Sequence, residues 1–409
     1  MTPAFIFVFI TVALDMLALG IMVPVLPKLI VQFEHGNMAS AAAISGWFGF
    51  AWAAMQFVSS PVLGALSDRF GRRPIILLSN LGLGLDYVMM ALAPSLPWLF
   101  VGRLVSGVTS ASFPTAAAYI ADVTPPEKRA AKFGMLGAAF GLGFVIGPAL
   151  GGGLGAIDLR LPFWIAAGLS LANAAYGFFI LPESLPAERR AAFSWSRAHP
   201  LGALRLLQSQ PALLGMAIAG LCYFVAHEAL PSMFVLYTDY RYHWDAARVG
   251  LVLAGIGVSS TIVSATLVGP AVKALGERRA LLLGLSAGAC GFLIYAFAAS
   301  ELVFVVGVPL IALWGLSSPS LSALMSRRVG PSAQGQLQGA IGSLRGISGM
   351  LGPPLFTQTF AYAIGAGSRM PFSGAPYLLG AMLIIAGALL AVVVTAPASD
   401  TDARVSEAP

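Results

Sequence analysis

GALSDRFGRRP, residues Gly64–Pro74, closes an apolar run that starts near Ala42 and precedes another that runs to Ala93. It sets four charges, Asp68, Arg69, Arg72 and Arg73, among the glycines Gly64 and Gly71. Two membrane helices joined by a very short basic loop give this pattern. Glycines let helix ends approach closely, arginines favour an anionic membrane face, and an aspartate can cap a neighbouring helix. Alone, the stretch reads equally well as an ordinary cytoplasmic loop. A second copy decides the matter. GPAVKALGERR, residues 269–279, repeats the glycines seven apart with a basic pair just after, at an offset of 205 residues in a chain of 409. The chain is a duplicated membrane unit.

Composition agrees. Hydrophobic residues make up 58% and charged residues 10% of the chain, against about 25% charged in soluble domains, which excludes a water-soluble core. The first apolar run begins within a few residues of Met1 and is long enough to span, so no cleaved signal sequence is expected. The net charge of +6 invites a nucleic-acid partner. The basic residues instead cluster in short connections between apolar runs, which is the positive-inside pattern, and no nucleic acid is expected. Cys222 and Cys290 fall inside apolar runs and read as small apolar residues, with no disulfide or metal site.

A span needs about 20 apolar residues. Twelve stretches qualify, at 4–27, 42–66, 74–93, 97–120, 131–153, 161–181, 211–235, 248–270, 279–299, 302–323, 336–362 and 374–396. The expected organisation is an N-terminal six-helix bundle (1–183), a linker (184–210), a C-terminal six-helix bundle (211–398) and a disordered tail (399–409). Even-numbered connections and the tail hold 16 Lys and Arg, while odd-numbered ones hold five, so both termini are expected in the cytoplasm. Each half has an even number of spans, so the two copies run parallel. The expected fold is therefore an all-α polytopic membrane protein of the kind built from parallel six-span halves around a central cavity.

Charged groups inside spans are costly and are functional candidates by default. They are Asp15 in span 1, Asp86 in span 3, Arg103 in span 4, His227 and Glu228 in span 7, and Arg345 in span 11. His227 and Glu228 are neighbours and point to different helix faces; the histidine reads as either a packing residue or a proton site. Arg345 either pairs with an acid or faces an anionic substrate. Low dielectric favours a protonated carboxyl and a nearby arginine favours the charged form, so a carboxyl caught between them can load and release a proton. Span 5 is dense in small residues, with Gly143, Gly147, Pro148, Gly151 and Gly152 at its centre, and span 11 carries Gly339 to Gly352 followed by Pro353 and Pro354. Small residues three or four apart allow close helix packing, and proline after glycine predicts a bend. Two pliable helices at an interface that opens and closes are the expectation.

In these residues the chain resembles the twelve-span drug:proton antiporters of the major facilitator superfamily, most of all the tetracycline-efflux branch, over nearly its whole length. LDMLALGIMVPVLPKL (Leu14–Leu29) resembles the first-span motif around Asp15. Gly64, Asp68, Arg69, Gly71, Arg72 and Arg73 match the loop 2–3 motif, which specifies fold more than cargo. GRLVSG with Arg103 matches a span-4 motif associated with proton coupling, and Gly143, Gly147, Pro148, Gly151 and Gly152 match the span-5 motif of exporters. LDYVMMALAP, IADVTPPEKRAAKFGMLGAAFGLGFVIGP, HWDAARVG and GQLQG resemble the tetracycline branch. The resemblance implies that Asp15, Asp68, Arg72 and Asp86 are required, that Gln56 lines the cavity, and that Asp122 joins the gating charges. It implies that Asp68 docks on the start of span 11 near Gly335.

It also shows departures. Where those exporters carry a histidine and a glutamine in span 8 and an aspartate in span 9, this chain has Ser260, Ser264 and Gly288. Serine is a poor metal ligand beside imidazole, and Glu228 with His227 is the candidate replacement for the missing acid. The function implied is export of small amphipathic drugs, tetracycline among the candidates, by alternating access across the inner membrane. The proton gradient is the energy source, no cofactor is expected, and a monomer in the bilayer is sufficient. A metabolite or lipid exporter, marked by a lateral groove between spans 5 and 8, is the runner-up. A membrane-embedded enzyme or receptor finds no support, because no span carries histidine–carboxylate metal spacing and the glycine-rich span lacks the context of a dinucleotide site.

Overall fold

A computed structural model of the chain describes residues 3–110, 112–191, 202–366, 368–369 and 371–396. Arg197, His199 and the tail expected at 399–409 lie outside the described residues. Helices fall on each of the twelve expected stretches, as lipid requires of a backbone that must satisfy its own hydrogen bonds. The N-terminal half contains α1 (Pro3–Met22, resuming as Leu26–Phe33), α2 (Met38–Phe70), α3 (Arg72–Leu92), α4 (Leu96–Thr109, then Ser112–Val123), α5 (Pro126–Ile157) and α6 (Leu161–Ile180). The C-terminal half begins with α7 (Pro211–His227, then Ala229–Tyr242) and α8 (Ala246–Ile262). After a π-helical turn (Val263–Leu267) the chain runs through Val268–Phe297, turning at Gly276, beyond which lies α9. There follow α10 (Glu301–Val306, Val308–Leu313 and Ser317–Ser326), α11 (Gln334–Ile364) and α12 (Ala375–Val394).

The duplication is visible in the turns. Gly71 and Gly276, 205 residues apart, both adopt positive φ (107° and 76°), a conformation that costs an L side chain dearly. The arginine two positions later does the same work in each copy. Arg73 donates to the Phe178 carbonyl of α6, and Arg278 donates to the Val392 carbonyl of α12. Each loop is thus pinned to the last helix of its own half.

Across the halves, α2 runs antiparallel to α11 and α5 antiparallel to α8. A methyl group added at Gly250 would lie 2.2 Å from the Pro148 carbonyl oxygen, and one at Gly152 would lie 2.3 Å from that of Ala246. On the other pair, one at Gly49 would lie 2.6 Å from Pro353 Cβ, and one at Gly346 would lie 2.3 Å from the Phe57 ring. These contacts run from the end bearing loop 1–2, here the far end, to about mid-helix. Beyond it both pairs part. A methyl group at Gly64, Gly134, Gly137, Gly269, Gly335 or Gly342 would meet nothing within 4 Å. The halves are zipped at the far end and open at the end that carries loop 2–3.

The expected bends are not where the prolines are. Helix α5 continues through Pro148, and α11 through Pro353 and Pro354. The interrupted helices are instead α1, α4, α7 and α10. The glycines of α5 serve contact: Gly143, Gly147 and Gly151 lie on Met16, Gly20 and Ile21 of α1, while Pro148 and Gly152 meet α8. Tight packing on two sides holds the proline inside a continuous helix.

Gly250→Ala should force α5 and α8 apart, because both obstacles are backbone. Overpacking of this kind costs about 1–3 kcal/mol. The expected result is a lower thermal unfolding midpoint of the purified protein, with wider spin-label distances across the far end.

Candidate functional site

Between the halves, beside the zipped stretch of α2 and α11, lies a cavity of 190 Å³, with walls that include Phe48, Trp52, Arg103, Glu228, Gly349 and Pro353. Arg103 enters from α4 and its guanidinium lies 5.4 Å from the centre of the Trp52 ring, a distance at which ring and cation attract. Glu228 enters from the opposite half, at the junction between the two segments of α7. Its side chain packs so tightly on Gly352 that a methyl group there would lie 2.2 Å from Glu228 Cβ. A cation and an acid from different halves therefore share one small, mostly apolar chamber.

Behind the Arg103 wall sits a buried acidic pair. Asp15 is 5% exposed and Asp86 is 1% exposed. Asp86 lies against the backbone of α4, where a methyl group at Gly102 would be 2.9 Å from its Oδ1. Tyr87, fully buried, lies within electrostatic range of Asp15, Asp86 and Arg103. Three of the residues singled out from sequence are thus gathered into one cluster, although only Arg103 reaches the chamber.

The C-terminal wall differs. His227 turns away from Glu228, as the sequence predicts, and its ring lies 5.4 Å from Trp314 and 6.2 Å from Tyr223. The two neighbours thus belong to different surfaces. Arg345 stands over the Phe224 ring at 5.0 Å and donates to Ser318 Oγ at 3.1 Å. Gln56 is half-buried beside Phe57 and does not line the chamber, nor do Ser260 and Ser264. Ser264 lies in the π-helical turn of α8.

The far end is closed by charge as well as by glycine. Lys28 at the end of α1 donates to Asp239 Oδ2 of α7 at 2.8 Å and to the Trp244 carbonyl at 2.8 Å. Gln358 of α11 donates to the Ala43 carbonyl of α2. Sequence reasoning missed the Lys28–Asp239 pair. Its only signal was two opposite charges, one at the end of span 1 and one just past span 7.

A sequence model of the Major Facilitator Superfamily matches residues 8–353. The chain belongs to that superfamily. It is 38% identical to the Tetracycline resistance protein, class C, of Escherichia coli, over 92% of this chain and 93% of that protein. Among solved structures, the human organic anion transporter MFSD10 (TETRAN) is 25% identical, with a TM-score of 0.69 and coverage of 95% and 99% of the two chains. The nucleoside transporter NupG, 15% identical, has a TM-score of 0.76 and coverage of 96% and 99%, and shares the fold.

Within this major facilitator fold the loop 2–3 charges form a network confined to the N-terminal half. Arg72 pairs with Asp68 at 2.5 Å and with Asp122 at 3.2 Å, and donates to Ser67 Oγ. Glu183, just past α6, accepts the backbone N–H groups of Arg72 and Arg73 at the start of α3, where free donors and the helix dipole favour an anion. Sequence reasoning missed Glu183 too. The implied docking of Asp68 near Gly335 is not made, because the halves have parted at this end. Gly288, standing where the tetracycline exporters have their span-9 acid, is covered by Trp314: an added methyl group would lie 2.6 Å from the indole. A larger aromatic side chain fills the place of the acid.

Breaking the far-end pair with Lys28→Met or Asp239→Asn should destabilise the zipped state. Both side chains are less than a third exposed, and a double-mutant cycle on thermal unfolding should return a coupling of about 0.5–3 kcal/mol. A cycle that closes to zero would show the pair to be incidental.

Proposed function

We propose that this multi-pass membrane protein is a proton-coupled antiporter that exports small amphipathic drugs across the bacterial inner membrane. The observation that carries the reading is the chamber shared by Arg103 and Glu228, with Asp15 and Asp86 buried behind it. With both termini cytoplasmic, as the basic loops imply, the open end faces the cytoplasm and the chamber lies deeper, beside the zipped stretch of α2 and α11. A drug enters from that side and its apolar body lies along Phe48, Trp52 and Pro353.

Arg103 holds Asp86 in its field, so the position of the arginine bears on the proton balance of that carboxyl. A change in the position of Arg103, as cargo arrives or leaves, shifts that balance and moves a proton. Glu228 supplies the acid of the C-terminal half, in contact with α11 through Gly352, so its charge state is coupled to the helix that must move. Closing the cytoplasmic end would extend the α2–α11 register until Asp68 faced Gln334 and Gly335. The free N–H groups at that helix start carry positive potential, and the carboxylate would exchange Arg72 for them. The far-end contacts would then part.

Helices α5 and α8 lie against each other from Gly141 to Gly155, which leaves no lateral groove along that length for the lipid-exporter alternative. Tetracycline is the first drug to test, given the names of the relatives. The serines of α8 and the indole over Gly288 predict a cargo range different from theirs.

In liposomes with an imposed pH gradient, drugs that are exported should dissipate the gradient. Asp15→Asn and Glu228→Gln should each reduce the exchange at least tenfold while leaving the unfolding midpoint near that of the wild type. Silence of the wild type toward every drug on a broad panel, tetracycline included, would remove the drug-export reading.

A further inference from the structure

Arg345 is the charge that the coupling scheme leaves unused. It lies on α11, one helical turn from the chamber-lining Gly349 and toward the open end, and its side chain is exposed. Among the described residues no carboxylate comes within 4.0 Å of its guanidinium. The other arginine inside a span, Arg103, has Asp86 beside it. An unneutralised cation in a membrane span is costly and marks a site for an anion.

The surroundings are those of a binding site. The guanidinium lies over the Phe224 ring at 5.0 Å, and one of its N–H groups is spent on Ser318 Oγ at 3.1 Å. A guanidinium carries five donors in a planar fork that matches a carboxylate or an enolate, so most remain for a ligand. Tyr223 reaches the same Ser318 hydroxyl, and its ring meets Trp314 at 5.0 Å. The indole of Trp314 is fully buried beneath this wall with its Nε1 unbonded among the described residues. Aromatic faces thus flank a positive charge that has no carboxylate partner among the described residues.

We infer that Arg345, Ser318 and the Phe224 ring form a second cargo subsite, one turn below the chamber, that takes an acidic planar group: a carboxylate, phenolate or enolate on an aromatic frame. The cargo is then an amphipathic anion or zwitterion whose apolar body reaches up into the chamber between Trp52 and Pro353. This rests on the export reading and narrows its substrate class. It also gives the chamber its division of labour. Arg103, engaged with Asp86, serves the proton, and Arg345, with no acid of its own, serves the cargo.

The test uses two xanthene dyes of the same ring system and opposite charge, anionic carboxyfluorescein and cationic rhodamine 6G. Their binding to the purified full-length protein in phosphatidylcholine nanodiscs is followed by fluorescence anisotropy. Wild type should bind carboxyfluorescein. Arg345→Gln should weaken that binding about 10–100-fold, the range of a lost charge-assisted contact, while rhodamine 6G changes less than about twofold. Arg345→Lys should recover part of the loss, because a cation returns without the planar fork. Should Arg345→Gln fail to fold, Ser318→Ala carries the test through the same selective weakening of the anionic dye. Failure of carboxyfluorescein to bind the wild type, or equal weakening of both dyes, would overturn the subsite. The drug–proton exchange assay on the same preparations separates the two readings. Exchange that persists while dye selectivity is absent removes the subsite alone, whereas selective dye binding without any exchange removes export and leaves the anion site standing.

Discussion

Backbone-to-backbone contact between the halves, along α5 with α8 and α2 with α11, is the constraint on which the rest of the molecule depends. In lipid there is no hydrophobic gain from bringing two apolar helices together, so close packing has to supply the attraction. Glycine at 152 and 250 lets the α5 and α8 backbones meet, glycine at 46 brings α2 onto the α11 backbone, and glycine at 49 and 346 makes room for Pro353 and the Phe57 ring. The same pairs part beyond mid-helix, where the glycines face open space. Each interface is therefore a zipper engaged over half its length, and the chamber lies beside the engaged stretch. Helices α5 and α11 run continuously through their prolines.

Charge is distributed to match that mechanics. The far end is closed by Lys28 with Asp239, while the Asp68, Arg72 and Asp122 network at the open end stays within one half. The chamber between the halves holds Arg103 and Glu228 from opposite halves. Ion pairs that cross the interface resist opening, and those that stay within a half stiffen the body that moves. The buried acids Asp15 and Asp86 sit on the N-terminal side, and Glu228 and Arg345 on the C-terminal side. A duplicated scaffold has thus been loaded asymmetrically, since the positions 205 residues on from Asp15 and Asp86 are Gly220 and Gly291.

The packing of α9 on α10 shows how a departure in sequence acquires a structural reason. Gly288 reads as the loss of an acid. In the fold it is the floor on which Trp314 rests, and Trp314 in turn meets Tyr223, His227 and Phe292. Arg345 stands beside that wall, over Phe224.

Sequence by itself determined the duplication, the twelve apolar stretches, the parallel halves and the short list of charges that do not belong in lipid. These follow from local rules: a span needs a fixed length of apolar chain, a loop carries its charge openly, and a buried charge is rare enough to be noticed. Only the tertiary structure decided which of those charges meet. Asp15, Asp86 and Arg103 come from three helices, and the packing of α7 decided that His227 meets Trp314 and Tyr223 while Glu228 meets Gly352. Lys28 with Asp239, Glu183 at the start of α3, and Trp314 over Gly288 were invisible beforehand. Each depends on a distance between helices that is set by packing and leaves no periodic trace along the chain. The glycines were legible as close-packing residues, but which neighbour each one touches, and where the zipper stops, depends on how the two halves are tilted against each other.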